Sequence, residues 1–140
     1  MKATLSPENR DQIRRHGEST YPHECCGFLM GTTGEDQKTI TTTVPVDNER
    51  TDAARNRYLI SPDAYWEGEK EARRRGLEII GIYHSHPNHP ARPSDYDLEH
   101  ALPWLSYIIV AVQDGQAQEL NSFVLSDDHT HFEPEQLSVL

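Results

Sequence analysis

A fourteen-residue segment at positions 84–97, HSHPNHPARPSDYD, is rich in side chains that bind metals. His84 and His86 are two residues apart at the predicted end of an extended strand, so both imidazoles point to the same side. Asp97 follows in the first turn of a helix that Ser94 is expected to cap. The prolines between them stiffen the connection, which lowers the entropy lost on fixing it. The segment can therefore bring two imidazoles and one carboxylate to a single ion.

Two neutral nitrogens and one carboxylate oxygen suit zinc. Three protein ligands leave a fourth position for water, which distinguishes a catalytic zinc site from a closed structural one. Zinc lowers the pKa of bound water to about 7, so hydroxide becomes available near neutral pH. Hydrolysis also needs a proton acceptor from elsewhere in the chain. Taken one at a time, the same residues have plainer readings: a surface histidine pair, a helix cap at Ser94 and a favourable helix-start charge at Asp97.

The elements that must position these side chains alternate between strands and helices through the middle of the chain. Two serine–proline pairs, Ser6-Pro7 and Ser61-Pro62, each predict a capped helix start, and Gly76 predicts the end of the second helix. Helices are therefore predicted from 7 to about 18, from 61 to 76 and after Ser94. Strands are predicted at 25–31, 38–46, 57–60, 77–86, 106–113 and 118–126, followed by a last strand or a loose tail at 130–140.

This order of elements predicts an α/β fold, a single mixed β-sheet with flanking helices, built as one domain over residues 1–140. Residues 25–31 and 38–46 should pair as a hairpin, and residues 47–56 should form a loop. Trp66 and Trp104 are interpreted as packing residues of the core or of its margin.

Composition excludes several classes of partner. The net charge of -10, from 13 basic and 23 acidic residues, argues against nucleic acid and anionic membranes, since both need clustered positive charge. The start of the chain lacks the apolar core of a signal peptide, and no apolar run approaches the length of a membrane span. Cys25 and Cys26 are adjacent and rarely bridge in that arrangement, so a reducing, cytoplasmic setting is expected. The sequence does not decide whether either cysteine is reactive. It also does not decide whether the protein forms a homo-oligomer.

The spacing His84-x-His86, seven residues, Ser94-x-x-Asp97 resembles the JAMM signature of the MPN-domain zinc metalloproteases. That family also carries an upstream glutamate, often followed by cysteine, glycine and apolar residues, and this chain reads PHECCGFL over 22–29. Similar elements run from the first helix to the strand after the motif. The resemblance implies an MPN-type α-β sandwich, similar to that of cytidine deaminases, and membership of the minimal prokaryotic branch.

Carried over to the matching positions, the resemblance implies one zinc ion per chain with His84, His86 and Asp97 as its ligands. Glu24 is then the general base, which takes a proton from water and later returns one to the leaving amine. Ser94 is then the donor to the oxyanion, a contribution of roughly 2.7–4 kcal/mol in other acyl-transfer enzymes. Without the resemblance Glu24 reads as a solvated loop carboxylate, because spacing alone cannot place it at the metal.

The resemblance also implies a substrate class. The chain is short and lacks the insertions that shape ubiquitin grooves in the eukaryotic members of the family. In the minimal branch the implied substrates are ubiquitin-like or sulfur-carrier β-grasp proteins that end in Gly-Gly. Cleavage after the last glycine would release an amino acid such as cysteine, a short tail or a conjugated protein. Glycines suit a narrow groove, and a free sheet edge could take the tail as an added strand.

Two alternative functions remain open from the sequence. HSHP after a strand also begins some metal-dependent phosphoesterase barrels, although such barrels need around 200 residues or more and further ligands from later strands. Beyond the motif, only His100, His129 and His131 offer imidazoles. The other alternative is a non-catalytic scaffold or zinc-binding module, because MPN domains without the metal motif act as assembly subunits.

Overall fold

The structure, a computed structural model, describes residues 2–50 and 57–140. Within these residues there are three helices: α1 (Pro7–Thr20), α2 (Pro62–Arg74) and α3 (Asp95–Glu99). The strands are β1 (Lys2–Leu5), β2 (Cys26–Thr33), β3 (Gln37–Val46), β4 (Glu78–Pro87), β5 (Ser106–Gln113), β6 (Gln116–Leu125) and β7 (Phe132–Val139).

All described strands belong to one sheet, in the order β1-β3-β2-β4-β5-β6-β7, and β1 also pairs with β7, so the sheet closes into a barrel. The pairs β1–β3, β1–β7 and β4–β5 are parallel and the other pairs are antiparallel. The predicted single mixed sheet with flanking helices is therefore confirmed. The likeness to cytidine deaminases stays a prediction.

The strand that closes the barrel is the one that the sequence did not predict. β1 is only four residues long, and it lies between β3 and β7 with Ala3 and Leu5 fully buried. Every described strand consequently has a partner on both sides for at least part of its length. Among the strands that the structure describes, a substrate tail has no wholly free edge to extend, contrary to the expectation of strand addition at an open edge.

Helix α1 packs against the sheet and contacts β3, β4, β5 and β6. Its apolar face places Ile13 in the core. Its polar side chains bond to the backbone of the two flanking strands: Asn9 Nδ2 donates to Thr41 O at 3.1 Å, and Glu18 Oε2 accepts from the Ala117 N–H at 2.9 Å. These bonds satisfy strand groups that have no strand partner at these positions.

The predicted helix starts are confirmed, because Ser6, Ser61 and Ser94 each accept a bond from the backbone N–H three residues later. The predicted stop is confirmed as well, since Gly76 follows α2 with φ of 73°, a conformation that favours glycine. The predicted β2–β3 hairpin forms, β5 and β6 pair as a second hairpin, and the last strand β7 forms too.

The predicted strand at 57–60 is wrong. These residues have no regular structure, because β2 and β4 already have neighbours on both sides. Asn48 holds the segment instead: its Oδ1 accepts from the Leu59 N–H at 3.1 Å and its Nδ2 donates to Arg57 O at 3.0 Å. The predicted loop at 47–56 lies partly outside the described residues, from 51 to 56.

The prediction that both tryptophans pack in or beside the core is also wrong, since Trp104 is 85% exposed and Trp66 is 55% exposed.

Among the helices that the structure describes, none combines the length and the apolar character needed to cross a membrane.

Candidate metal centre

The two histidines lie at the end of β4, between β2 and β5. His84 is opposite Cys26 of β2 and Ile109 of β5, so the backbone at this position is paired on both sides. The period of two residues turns both imidazoles to the same face, where their Nε2 atoms approach to 3.2 Å. Both side chains are buried, at 1% and 6% exposure.

Asp97 reaches the same point from the first turn of α3. The N–H of Ser94 donates to Asp97 Oδ2 at 2.9 Å, and the Asp97 N–H donates to Ser94 Oγ at 3.1 Å, which together form a capping box. Asp97 Oδ2 lies 3.2 Å from His84 Nε2 and 3.1 Å from His86 Nε2. The helix cap therefore fixes the carboxylate beside both imidazoles, and the three predicted ligands form one buried group.

Hydrogen bonding sets the tautomer of one imidazole. His86 Nδ1 lies 2.9 Å from Pro90 O, and because a carbonyl only accepts, Nδ1 carries the hydrogen and Nε2 presents its lone pair. His84 has no such partner for Nδ1 among the described residues. Its ring is instead stacked on Tyr58, with centroids 4.6 Å apart and planes at 26°.

The electrostatics favour a neutral His84 and an ionised Asp97. Burial lowers the pKa of His84 against the opposing charge of Asp97. Burial raises the pKa of Asp97, but the contacts of its carboxylate with the two imidazoles and with the Ser94 N–H outweigh burial and hold the pKa well below its usual range. Three electron-pair donors consequently converge at 3.1–3.2 Å.

Glu24 is a further buried polar side chain at this end of the sheet. It immediately precedes the residue that joins β2 to β4: Cys25 N–H donates to Ser85 Oγ at 2.8 Å, and Ser85 N–H donates to Cys25 O at 3.2 Å. These bonds carry Glu24 into the groove beside His86. Its Oε1 has no hydrogen-bond partner among the described residues, and burial, with the charge of Asp97 adding, raises its pKa to about 9.

This donor set fits a divalent cation. Two imidazole nitrogens and a carboxylate oxygen match the preference of zinc. In the described part of the chain no lysine or arginine forms an ion pair with Asp97 or Glu24. Two carboxylates buried without a basic partner are costly, and a bound cation would offset that cost.

A groove of about 550 Å³ opens onto the group, and Glu24, His86 and Ser94 are among its lining residues. His89 is exposed and also lines the groove. The remaining predicted site residue, Ser94, also lines the groove, while its N–H and its Oγ both take part in the cap of α3. The five predicted site residues lie together at one end of the barrel.

The adjacent cysteines have a packing role in this structure. Both thiols are free and buried, and neither belongs to the metal-binding group. Burial raises the pKa of Cys25 to about 11, and it raises the pKa of Cys26 further above its ordinary value. A thiol that stays protonated is a poor nucleophile and a poor ligand.

The sequence did not identify several residues that shape the site. Tyr58 was assigned to a strand, and its stacking on His84 leaves no periodic signal in the sequence. Arg57 and Arg92 line the groove without matching any motif. The Pro90 carbonyl that orients His86 could have been anticipated from its place in the short, proline-rich spacer.

The chain is similar to known proteins over most of its length. The family described as prokaryotic homologues of the JAB domain matches residues 6–126. A desampylase of Haloferax volcanii is 30% identical over 120 residues, which cover 82% of this chain and 84% of that protein. A probable TtuB-protein conjugate cleaving protease of Thermus thermophilus is 30% identical over 107 residues, which cover 76% of this chain and 68% of that protein.

Two solved structures share the fold. A protein from Desulfitobacterium hafniense superposes with a TM-score of 0.86 at 26% identity, covering 99% of this chain and 92% of the other. A protein from Salinibacter ruber superposes with a TM-score of 0.77 at 39% identity, covering 100% of this chain and 92% of the other.

Proposed function

Because this chain belongs to the prokaryotic JAB family within the JAMM/MPN proteases, we propose that it is a zinc-dependent isopeptidase of ubiquitin-like protein conjugates. It hydrolyses the amide bond after the C-terminal Gly-Gly of a ubiquitin-like or sulfur-carrier protein. One observation carries the proposal: the convergence of His84, His86 and Asp97 beside the buried carboxylate of Glu24 in a single groove.

In this proposal His84, His86 and Asp97 hold one zinc ion per chain. Zinc in that position supplies a Lewis acid that polarises the scissile carbonyl and lowers the pKa of water. Pro90 O keeps the Nε2 lone pair of His86 directed at the site, and the capping box keeps Asp97 Oδ2 there. The protein thus supplies a rigid and largely dry ligand set.

Glu24 and Ser94 act on protons and charge. Glu24 Oε1 has no partner among the described residues, and a cation beside it would favour its ionised form. The ionised carboxylate can accept a proton from the attacking water and return it to the leaving amine. Ser94 Oγ uses a lone pair to accept the Asp97 N–H, which leaves its own hydrogen available for the oxyanion that develops on the carbonyl. Both side chains line the groove.

The names of the relatives support the substrate class. One relative is called a desampylase and the other a protease that cleaves TtuB-protein conjugates, and this chain covers more than two thirds of each. Glycine residues suit the approach to a buried centre because they lack side chains. The same proposal includes two further predictions. Residues 1–140 form one catalytic domain, and the protein works in a reducing, cytoplasmic setting, which agrees with its two free thiols.

The proposal is tested by incubating the zinc-loaded protein with β-grasp carriers that are extended beyond Gly-Gly, with products identified by mass spectrometry. We expect cleavage after the last glycine. Glu24→Gln should bind zinc as the wild type does and lose turnover by at least about a hundredfold.

Glu135→Gln is the matched control, because it alters a buried carboxylate on β7 that lies outside the groove, and it should retain both zinc binding and cleavage. Normal turnover by Glu24→Gln would refute the role of the base. Zinc binding without cleavage of any carrier would favour the alternative of a non-catalytic zinc-binding module.

A further inference from the structure

Two arginines line the groove of the candidate metal centre. Arg57 and Arg92 are both exposed and lie on its wall with Glu24 and His86. Their guanidinium groups form no hydrogen bond or ion pair with any residue that the structure describes. Arg57 lies over the ring of Tyr96, at 5.1 Å from its centroid. In a chain with a net charge of -10, this groove thus holds two exposed cations that have no ion-pair partner among the described residues.

Three arginines outside the groove have partners for their guanidinium groups. Arg74 and Arg75 both bond to Glu71, at 2.6–2.9 Å, and Arg14 donates to Ala117 O at 3.2 Å. A neighbouring carboxylate thus pairs with both Arg74 and Arg75. In the groove Asp95 is a lining residue, yet neither arginine is paired with it.

The backbone that presents each groove arginine is fixed. Arg92 N–H donates to Pro90 O at 2.8 Å, and the buried Ala91 beside it accepts from Asn121 Nδ2 at 3.1 Å. Arg57 is held through its carbonyl by Asn48 Nδ2 at 3.0 Å. Long side chains on an anchored backbone lose less entropy when they bind a ligand.

We propose that Arg57 and Arg92 bind a substrate carboxylate close to the scissile amide, so that the groove selects an acidic group at this position. The inference rests on the proposed function, because it concerns the substrate of the same groove. Guanidinium groups bind carboxylates through paired, charge-assisted hydrogen bonds. The acidic surface elsewhere repels an acidic substrate, so the arginines also fix the orientation in which it enters.

A carboxylate can reach the groove from two sources. One is an acidic side chain of the carrier tail next to Gly-Gly. The other is the free α-carboxylate of a released amino acid. The two sources are separated by peptides that carry aspartate or asparagine before Gly-Gly, and by peptides that end in alanine or alanine amide after Gly-Gly.

Binding of these peptides is measured by fluorescence anisotropy on zinc-loaded Glu24→Gln protein, which should not consume them. We expect each carboxylate peptide that fits to bind about tenfold to a hundredfold more tightly than its neutral partner. Arg57→Gln and Arg92→Gln should abolish that preference, and Arg92→Lys should restore part of it. Arg15→Gln is the control, because Arg15 is an exposed arginine of α1 outside the groove.

The outcomes separate this inference from the proposed function. If the arginine variants stop discriminating only between the alanine and alanine-amide peptides, the bound carboxylate is that of the released amino acid. If they stop discriminating only between the aspartate and asparagine peptides, the bound carboxylate belongs to the carrier tail. Equal binding of charged and neutral peptides by the wild-type groove would overturn the inference, even if Gly-Gly substrates are cleaved. Arginine-dependent binding without cleavage by the wild type would keep the inference and refute the protease. In turnover, the arginine variants should raise KM with little change in kcat.

Discussion

Two groups of buried polar side chains differ in how the chain balances their charge. Inside the barrel, Lys38 Nζ donates to Trp104 O at 2.7 Å and to Ser106 Oγ at 2.9 Å. Ser122 Oγ donates to Glu135 Oε1 at 2.8 Å nearby. Burial lowers the pKa of Lys38, and the charge of Glu135 opposes that shift. This group therefore contains its own cation and its own anion.

The metal centre has the opposite composition. It contains two buried acidic side chains, Asp97 and Glu24, and burial lowers the pKa of His84. No lysine or arginine of the described chain forms an ion pair with either carboxylate. Both groups are buried, so burial alone does not mark a functional site. The distinguishing feature is a cluster of ligands and acidic side chains to which no described lysine or arginine supplies an ion-paired positive charge.

Removal of one ligand should have the largest effect. His84→Ala takes away a nitrogen donor and leaves Asp97 with a single imidazole, so zinc affinity should fall by more than about a hundredfold and cleavage should be lost. Zinc affinity is measured by competition with a chelating dye. His89→Ala is the matched control, because His89 lines the same groove without belonging to the ligand group. Unchanged affinity in His84→Ala would remove that residue from the site.

The next effect separates catalysis from helix capping. Ser94→Ala loses both the cap of α3 and the proposed oxyanion donor, so kcat should fall by about a hundredfold to a thousandfold. Ser61→Ala loses an equivalent cap on α2, where Ser61 Oγ accepts from the Ala64 N–H at 3.1 Å, and should lower only the free energy of unfolding, by about 1 kcal/mol. Equal activity losses in the two variants would indicate that Ser94 acts as a cap alone.

The sequence predicted the local parts of the site well, because they depend on short-range rules. The i, i+2 period of a strand places His84 and His86 on one face, and the serine cap places Asp97 in the first turn of a helix. Both rules operate within about a dozen residues. Glu24 needed the resemblance to a known family, since sixty residues separate it from His84 and only the β2–β4 pairing brings the two together.

Closure of the sheet explains what the sequence failed to predict. A four-residue strand such as β1 carries too little pattern to be recognised, and its pairing with β7 joins the two ends of the chain. Once the sheet is closed, residues 57–60 cannot join it despite their apolar composition. They lie across the ligands instead, which is why Tyr58 was assigned to the wrong element.

The group inside the barrel should affect stability without affecting the metal. Lys38→Met leaves Trp104 O and Ser106 Oγ without their donor, so the free energy of unfolding should fall by about 2 kcal/mol. Zinc affinity should stay at the wild-type value. Adding Glu135→Gln should recover part of the loss, because it removes the anion left behind. A change in zinc affinity in Lys38→Met would show that the two groups are coupled.

The missing cation should also be visible in the pH dependence of the metal-free protein. Burial first, and then the charge of Asp97, raise the pKa of Glu24 from 4.5 to about 9. Between these values the folded protein keeps a proton that the unfolded chain has released, so the free energy of unfolding should fall as pH rises, by roughly 1 kcal/mol per pH unit.

Glu24→Gln has no such titration. Denaturation in the presence of a chelator should therefore show the variant gaining stability over the wild type between pH 5 and pH 8. Zinc should flatten the wild-type curve, since a nearby cation favours the ionised carboxylate. Parallel curves for the two metal-free proteins would mean that Glu24 is solvated, as its sequence context alone suggested.

The smallest expected effect concerns the orientation of His84. Its Nδ1 has no partner among the described residues. His86 is oriented by a hydrogen bond to Pro90 O, whereas His84 is stacked on the ring of Tyr58, with centroids 4.6 Å apart. Tyr58→Ala should lower zinc affinity by about tenfold, at the lower end of the effects seen when a ligand loses its support. Tyr58→Phe keeps the ring and should bind zinc normally. If both variants lower the affinity equally, the hydroxyl rather than the stacked ring supports His84, and the two imidazoles are oriented by the same kind of polar contact.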